Sequence, residues 1–369
     1  MTSSNILVTV AVPVYNGAQF LSAAVDSALA QTHRNLEILL YDDGSTDGSL
    51  TVAQSFGDER VRVLIGGENS GVGVARQILK TEAKGDYIIW LDADDLYEPK
   101  RVEMLLGAAL QQEADIVIDN SRYIDEAGEV LPGERRVPDE VASDPHFTRL
   151  FERNAMNPHP LVSRACFEAL DFDPELTVSE DYDFWLQASQ SGYRFLRLDV
   201  PLHSYRLTSG SLSCHPDSSR QAVLKIFAKY EVIDLKRLYR ERGFSDEQVQ
   251  YMSCLQHLFR ENYPAALSYA NAPWPDDPQV DQDFYRGALE LECGDDETAV
   301  ECLERHLDRS PDSPAGLNNL GVALQRRGNS GADVWQQALV LFPGYYDATA
   351  NLEGQESLTL TQLAPRRHR

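Results

Sequence analysis

Three acidic clusters carry the chemistry that this chain can be expected to perform. Asp92, Ala93, Asp94 and Asp95 follow the apolar run Tyr87, Ile88, Ile89, Trp90, Leu91. Alternate residues of an extended segment point the same way, so Asp92 and Asp94 could face one ligand together. Carboxylates forced together repel unless a proton or cation lies between them. A hard divalent ion, Mg2+ or Mn2+, takes oxygen ligands and commonly shares its coordination with substrate phosphates. The second cluster is Asp42, Asp43, Gly44, Ser45, Thr46, Asp47. Gly44 permits a tight turn, Ser45 or Asp47 suits a helix cap, and a carboxylate here could accept a hydrogen bond from a nucleobase N–H. The third, Ser179, Glu180, Asp181, Tyr182, Asp183, opens a helix. Acids suit the positive end of the helix dipole, and a general base placed there could meet an acceptor hydroxyl. Each cluster taken singly also reads as a turn or a cap, since Asp favours both.

The elements that must position these clusters alternate between strand and helix. Residues 6–12, 36–41, 61–65, 87–91 and 116–118 are short, β-branched or aromatic runs. Between them, Phe20, Leu21, Ala24, Val25, Ala28 and Leu29 share one helical face, as do Val102, Leu105, Leu106, Ala109 and Leu110. Strands separated by helices predict an α/β fold with a mostly parallel sheet flanked by helices. Ligands bind at the carboxyl ends of such strands, where Tyr15, Asn16, Gly17 and the first two acidic clusters fall.

The chain has 369 residues, 43% hydrophobic and 25% charged, which suits two or three domains with buried cores. Acidic residues outnumber basic ones 58 to 33, for a net charge of −25. That field has the wrong sign for a nucleic-acid backbone or an anionic membrane. An anionic substrate would need a cation or backbone donors to hold it. The first basic residue is Arg34, so no positively charged leader is expected. The early apolar run contains Pro13 and is too short to be a transmembrane segment. Cys166, Cys214, Cys254, Cys293 and Cys302 form no CxxC pair and read as reduced thiols. The expected setting is cytoplasmic, or peripheral at the inner face of a membrane.

Taken together and in order, Val12-Pro13-Val14-Tyr15-Asn16-Gly17, Asp42-Asp43-Gly44-Ser45-Thr46-Asp47, Asn69-Ser70-Gly71-Val72-Gly73-Val74-Ala75-Arg76, Leu91-Asp92-Ala93-Asp94-Asp95 and Glu180-Asp181 resemble the inverting family 2 glycosyltransferases of the GT-A fold. The likeness runs over about residues 5–215 and implies a catalytic domain at 1–215. It implies that Pro13 and Tyr15 line a base pocket, that Asp43 contacts the base, expected to be uracil, and that Arg76 lies against the nucleotide. It further implies that Asp94 is the metal ligand, that Asp92 reaches the ribose or the metal, and that Asp95 supports them or caps the next helix. Asp181 becomes the base and Glu180 an acceptor-side residue. The implied reaction is inverting transfer of a hexosyl or N-acetylhexosaminyl group. The donor is a nucleoside diphosphate sugar, expected to be UDP-linked, and the acceptor a hydroxyl on a glycan, lipid-linked molecule or protein. Many relatives carry a His shortly after a Tyr-Arg pair, where this chain has Thr208 after Tyr205 and Arg206. His203 and His215 are out of register and are not expected to be ligands, water is expected in that position, and Arg206 is expected to meet the diphosphate. His159, between Pro158 and Pro160, falls either on the acceptor side or in a rigid surface turn, and Trp185 reads as core. The variable segment 123–157 is expected to shape the acceptor pocket.

Beyond about residue 215 the pattern is helical, with a connecting helix over 216–245 whose amphipathic stretch runs from 222 to 239. Gly287 and Gly321 are 34 residues apart, as are Gly294 and Gly328. Ala299 and Pro311 fall where a tetratricopeptide unit wants Ala and Pro, so 246–355 resembles such repeats, leaving 356–369 as a tail. Stacked helix pairs offer a surface for a protein partner, a protein acceptor or self-association. A non-catalytic nucleotide-binding scaffold is the main competing function, and intact Asp92, Asp94 and Asp181 speak against it. A sugar nucleotidyltransferase would need a glycine-rich basic loop after the first strand, which is not there.

Overall fold

Short β-branched runs give the first four strands: β1 (Val8–Val14), β2 (Leu36–Asp42), β3 (Val61–Ile65) and β4 (Tyr87–Trp90). The structure, a computed structural model, describes residues 5–156, 159–208, 216–277 and 280–354. Cys214, His215 and the expected tail lie outside the described residues. The four strands are parallel in the order β3-β2-β1-β4. Helices α1 (Ala18–Leu29), α2 (Ser49–Gln54) and α3 (Val72–Glu82) make the crossovers. Val10, Val12, Leu21, Ile38, Leu40 and Ile89 are all fully buried in one core, as expected of parallel strands covered on both faces. Pro13 fits in β1 because β4 stops pairing with β1 at Ala11, so the strand has one neighbour there.

Beyond β4 the sheet is mixed. The remaining strands are β5 (Leu96–Tyr97), β6 (Ile116–Ile124), β7 (Val130–Arg135), β8 (Leu161–Ser163) and β9 (Phe195–Arg206). The three-residue β8 is antiparallel to both β4 and β6, β9 is parallel to β6, and β5 is antiparallel to β9. The full order is β3-β2-β1-β4-β8-β6-β9-β5, with β7 paired to β6. Helices α4 (Arg101–Gln112), α5 (Asp139–Ala142), α6 (Arg164–Ala169) and α7 (Glu180–Ser191) complete this part of the chain. The expected parallel sheet is thus its amino-terminal half, and the antiparallel strands are what bring distant residues to the end of β4.

The chain divides into two compact units between Ile226 and Phe227. The stretch 222–239 is two helices, α8 (Pro216–Ala228) and α9 (Val232–Glu241), rather than one. A residue distant in sequence holds the break. The Arg260 guanidinium donates to the carbonyls of Phe227, at 2.6 Å, and Tyr230, taking up acceptors that a continuing helix would use. Seven helices follow: α10 (Asp246–Leu258), α11 (Tyr263–Ala270), α12 (Gln282–Cys293), α13 (Asp296–Arg309), α14 (Pro314–Arg326), α15 (Ala332–Leu341) and α16 (Tyr346–Leu352). Side chains of Ser245, Asn262, Asp281, Asp295 and Ser313 cap five of them. Phe284, Leu291, Ala299, Leu303, Ala315 and Ala323 form one core from three consecutive helices.

The 34-residue interval has a physical meaning in this unit. A Cβ on Gly287 would lie 2.7 Å from Leu303 Cγ, and one on Gly321 would run into the Trp335 ring. Both glycines therefore mark places where a helix must approach its successor closely. Gly294 (φ +89°) and Gly328 (φ +83°) end their helices in the left-handed region. The two kinds of glycine should respond differently to substitution. Gly321→Ala should lower unfolding free energy by about 1–3 kcal/mol through overpacking, and Gly328→Ala by about 1–2 kcal/mol through backbone strain alone. Urea denaturation followed by circular dichroism measures both. A Gly321→Ala protein of wild-type stability would contradict the close helix contact.

Candidate active site

Loops at the carboxyl ends of β1, β2 and β3 are tied together by side chains of the second acidic cluster. Asp47 accepts from the Ala18 amide at 3.0 Å, Ser49 Oγ from the Gly17 amide at 2.9 Å, and Ser45 Oγ from the Asn16 amide at 3.0 Å. Asn16 Oδ1 in turn accepts from the Thr46 amide at 2.8 Å. Asp43, 3% exposed, accepts from the Ser70 amide at 3.0 Å, the Ser70 hydroxyl at 2.6 Å and the Gly71 amide at 2.9 Å. Asp43 is therefore the anchor of the loop that leads into α3. Gly44 is required on two counts, since its φ is +73° and a Cβ would lie 2.9 Å from the backbone at Gly67 and Glu68. Above this frame Tyr15 is half exposed at the end of β1, and Pro13 is half-buried.

The acidic turn after β4 is held from beneath by cations and imidazoles. Arg76, on α3, places Nη2 3.4 Å from Asp92 Oδ1 and Nη1 2.6 Å from Glu180 Oε1. Burial works against its charge, but Glu180, Asp92 and Asp181 more than offset this and raise its pKa. His159 Nε2 lies 3.3 Å from both Asp92 Oδ2 and Asp95 Oδ2, and His203 Nε2 lies 3.0 Å from Asp95 Oδ2. Burial alone would raise both carboxyls. His159 and Arg76 instead hold Asp92 low, and the two histidines hold Asp95 low. Burial pushes His203 down to about 4, whereas Asp92 and Asp95 overcome burial at His159 and raise it.

Strand register explains how these histidines arrive. Ile89 on β4 faces Leu161 on antiparallel β8. Two residues further along, one chain has reached Leu91 and the other His159. Tyr97 faces His203 across β5 and β9. Arg101 makes a buried two-point ion pair with Asp119, at 2.9 and 2.8 Å, and donates to the His159 carbonyl at 2.6 Å. That fixes the segment carrying His159.

At the far side of Arg76, α7 begins from Ser179 in a left-handed conformation, φ +61°. Gly73 in the first turn of α3 lies under the preceding loop, where a Cβ would meet the Leu176 and Asp173 carbonyls at 3.0 and 3.1 Å. This close approach sets Arg76 against Glu180. Asp181 is partly exposed, with Oδ1 accepting from the Tyr182 amide at 2.7 Å. Asp94 is partly exposed as well. Burial, with Asp95 and Asp92 alongside, pushes its carboxyl up to about 7. A carboxyl crowded by two others is one that a divalent cation would ionise, so the donor set here fits a hard ion.

Several expected placements are revised by these contacts. His159 is fully buried beside Asp92 and Asp95, not in a surface turn. Asp95 caps no helix. Its Oδ1 accepts from the Arg206 amide at 2.8 Å and its Oδ2 faces the histidines. Arg206 is spent on backbone, donating to the Asp94 and Asp125 carbonyls at 2.7 Å each. Its guanidinium therefore braces the acidic turn rather than facing a diphosphate. Arg76 and Glu180 are buried against each other, and Arg76 also reaches Asp92. Trp185 is fully buried, as expected. The motif Pro158-His159-Pro160 was the one sequence signal for the histidine cluster.

Residues 9–167 match the family described as Glycosyl transferase family 2. An uncharacterized glycosyltransferase of Rickettsia typhi, RT0329, is 29% identical over 270 residues, covering 69% of this chain and 80% of that protein. The glycosyltransferase GlyA of Streptococcus pneumoniae is 31% identical over 56% of this chain, which spans only 31% of GlyA's length. Among solved structures, S. aureus TarS 1–349 in complex with UDP-GlcNAc superposes with a TM-score of 0.57 and 17% identity, covering 83% of this chain and 92% of that one. That likeness is one of fold. Among the described residues no helix is long and apolar enough to cross a membrane.

The Asp43 anchor makes a direct expectation. Asp43→Ala removes the acceptor for two amides and a hydroxyl, bonds to a charged group worth about 1.5–3 kcal/mol each. Amide exchange at Ser70 and Gly71 should accelerate by about 10-fold or more, with β1 and β2 unaffected. Unchanged exchange at both amides would show that the loop is held otherwise.

Proposed function

We propose that this chain is an inverting, divalent-cation-dependent glycosyltransferase. It moves a hexosyl or N-acetylhexosaminyl group from a nucleoside diphosphate sugar, UDP-linked, to an acceptor hydroxyl in glycan or glycoconjugate synthesis. The observation that carries this reading is the Arg76 bridge. One guanidinium touches Asp92 of the acidic turn and Glu180 beside Asp181, which supports reading both carboxylate sets as parts of one site.

In this reading Tyr15 offers its half-exposed ring to the base and Pro13 lines the same pocket. Asp43 holds the 69–71 loop and so shapes the edge of the base pocket. Asp94, with Asp92, would hold Mn2+ or Mg2+, which supplies charge neutralisation for a diphosphate leaving group. Asp181 accepts the proton of the acceptor hydroxyl as that oxygen attacks the anomeric carbon, and the bond from that carbon to the diphosphate breaks. Attack on the face opposite the leaving group inverts the configuration. Glu180 and Arg76 keep Asp181 at the cleft edge. The helices from 246 onward act as a tetratricopeptide-type platform for a protein partner or a second copy, with the enzyme on the cytoplasmic side of a membrane or peripheral to it.

Asp181→Asn should leave nucleotide binding within about twofold of wild type while transfer falls by about 10²–10⁴-fold, the usual worth of a general base. A single-turnover transfer assay beside a binding titration separates the two, and transfer at the wild-type rate would end the assignment. Asp94→Asn should instead abolish the Mn2+ dependence of UDP affinity in calorimetry. UDP binding that gains equally from Mn2+ in both proteins would remove Asp94 from the cation site.

A further inference from the structure

We propose that Asp95, His159 and His203 form a second metal site, a buried Zn2+ site beneath the acidic turn and apart from the cation that Asp94 would serve. These three residues are 1%, 0% and 1% exposed. Their ligand atoms all lie within 4.8 Å of one another. His159 Nε2 and His203 Nε2 stand 3.3 and 3.0 Å from Asp95 Oδ2. A tetrahedral ion with bonds of about 2.0–2.1 Å separates its ligands by roughly 3.3 Å, close to the two separations at Asp95. The three side chains leave the fourth position of a tetrahedral ion to water, on the side where Asp92 Oδ2 lies 3.3 Å from His159 Nε2.

Direction matters as much as distance. Asp95 Oδ2, His159 Nε2 and His203 Nε2 are buried, and none makes a directed hydrogen bond despite these short separations. Buried polar atoms are normally hydrogen-bonded. Atoms that converge without aiming hydrogens at one another have the arrangement of lone pairs around a common centre. The far side of the His203 ring is fixed as a ligand's would be, with Nδ1 2.9 Å from Ser121 Oγ. The Arg101 guanidinium pins the His159 carbonyl at 2.6 Å. Two imidazoles with carboxylate suit Zn2+ better than Mg2+, which prefers oxygen alone. The Asp92 side chain is 33% exposed, so it offers a route in from the cleft. Zn2+ here would bind β4, β8 and β9 together and make the acidic turn rigid.

The test uses the full chain, purified without a polyhistidine tag, and every readout is taken without nucleotide or sugar, so it stands apart from the transferase reading. Metal content should be about one Zn2+ per chain. After chelation and reloading with Co2+, visible absorption should show the strong bands of tetrahedral coordination, and the melting temperature should rise with added Zn2+. His203→Gln and His159→Gln should lose the Co2+ bands and the melting shift, Ser121→Ala should weaken Zn2+ affinity by about 10-fold, and Asp94→Asn should keep both signals. If the histidine variants do not fold, X-ray absorption on the wild-type Co2+ protein decides, since two imidazole scatterers support the site and oxygen-only ligation overturns it. Absence of bands and melting shift in the wild type, or their loss in Asp94→Asn alone, also overturns it.

Discussion

The site depends first on the Arg76 guanidinium, which is buried between Asp92 and Glu180. A charge out of water is tolerated only when paired and hydrogen-bonded, and each of its two partners lies at the end of a different element. The ion pair therefore does what backbone ladders cannot, since β4 and α7 share no strand pairing. Removing one partner of such a pair leaves an uncompensated buried charge, a loss of about 3–5 kcal/mol. The close approach of Gly73 to the 173–176 loop is the steric half of the same arrangement. Backbone proximity brings α3 to the start of α7, and the guanidinium fixes their register.

The acidic turn faces the opposite problem. Asp92, Asp94 and Asp95 would repel one another in a low-dielectric setting. Different surroundings resolve this. Asp92 and Asp95 meet imidazoles and are kept ionised, while at Asp94 burial and its two acidic neighbours outweigh His159 and push it toward its neutral form. Arg206 holds the peptide of that residue, and the Arg101–Asp119 pair holds the histidine segment. Three arginines thus stiffen a turn whose charged residues are all acidic.

Much of this was legible in the sequence where the signal is local. The runs that became β1 to β4, the turn at Gly44 and the opening of α7 follow from residue types a few positions apart. The order of acidic motifs along the chain pointed to the fold and to a shared cleft. What was not legible arises from contacts between distant segments. Arg76 and Glu180 are 104 positions apart, so nothing near Arg76 announces that it will be buried by a carboxylate. His159 and His203 gain their roles from the three-residue antiparallel β8 and from the pairing of β9 with β5, which no periodicity reveals. Asp43 read as a base contact, and its bonds to Ser70 and Gly71 depend on a loop whose path only the folded chain defines. The break after α8 was hidden for the same reason, since Arg260 lies some thirty positions away.

The paired glycines of the second unit bear on how such a chain can change over generations. Gly287 and Gly321 each admit the next helix closely, and Gly294 and Gly328 each turn the chain back. Helices there pack mainly on their successors, with α12 also meeting α14 and α14 meeting α16. A gain or loss of a few residues between the glycines would set a bulky side chain where a glycine has to be, so length in this part of the chain is constrained by packing and not by the turns alone.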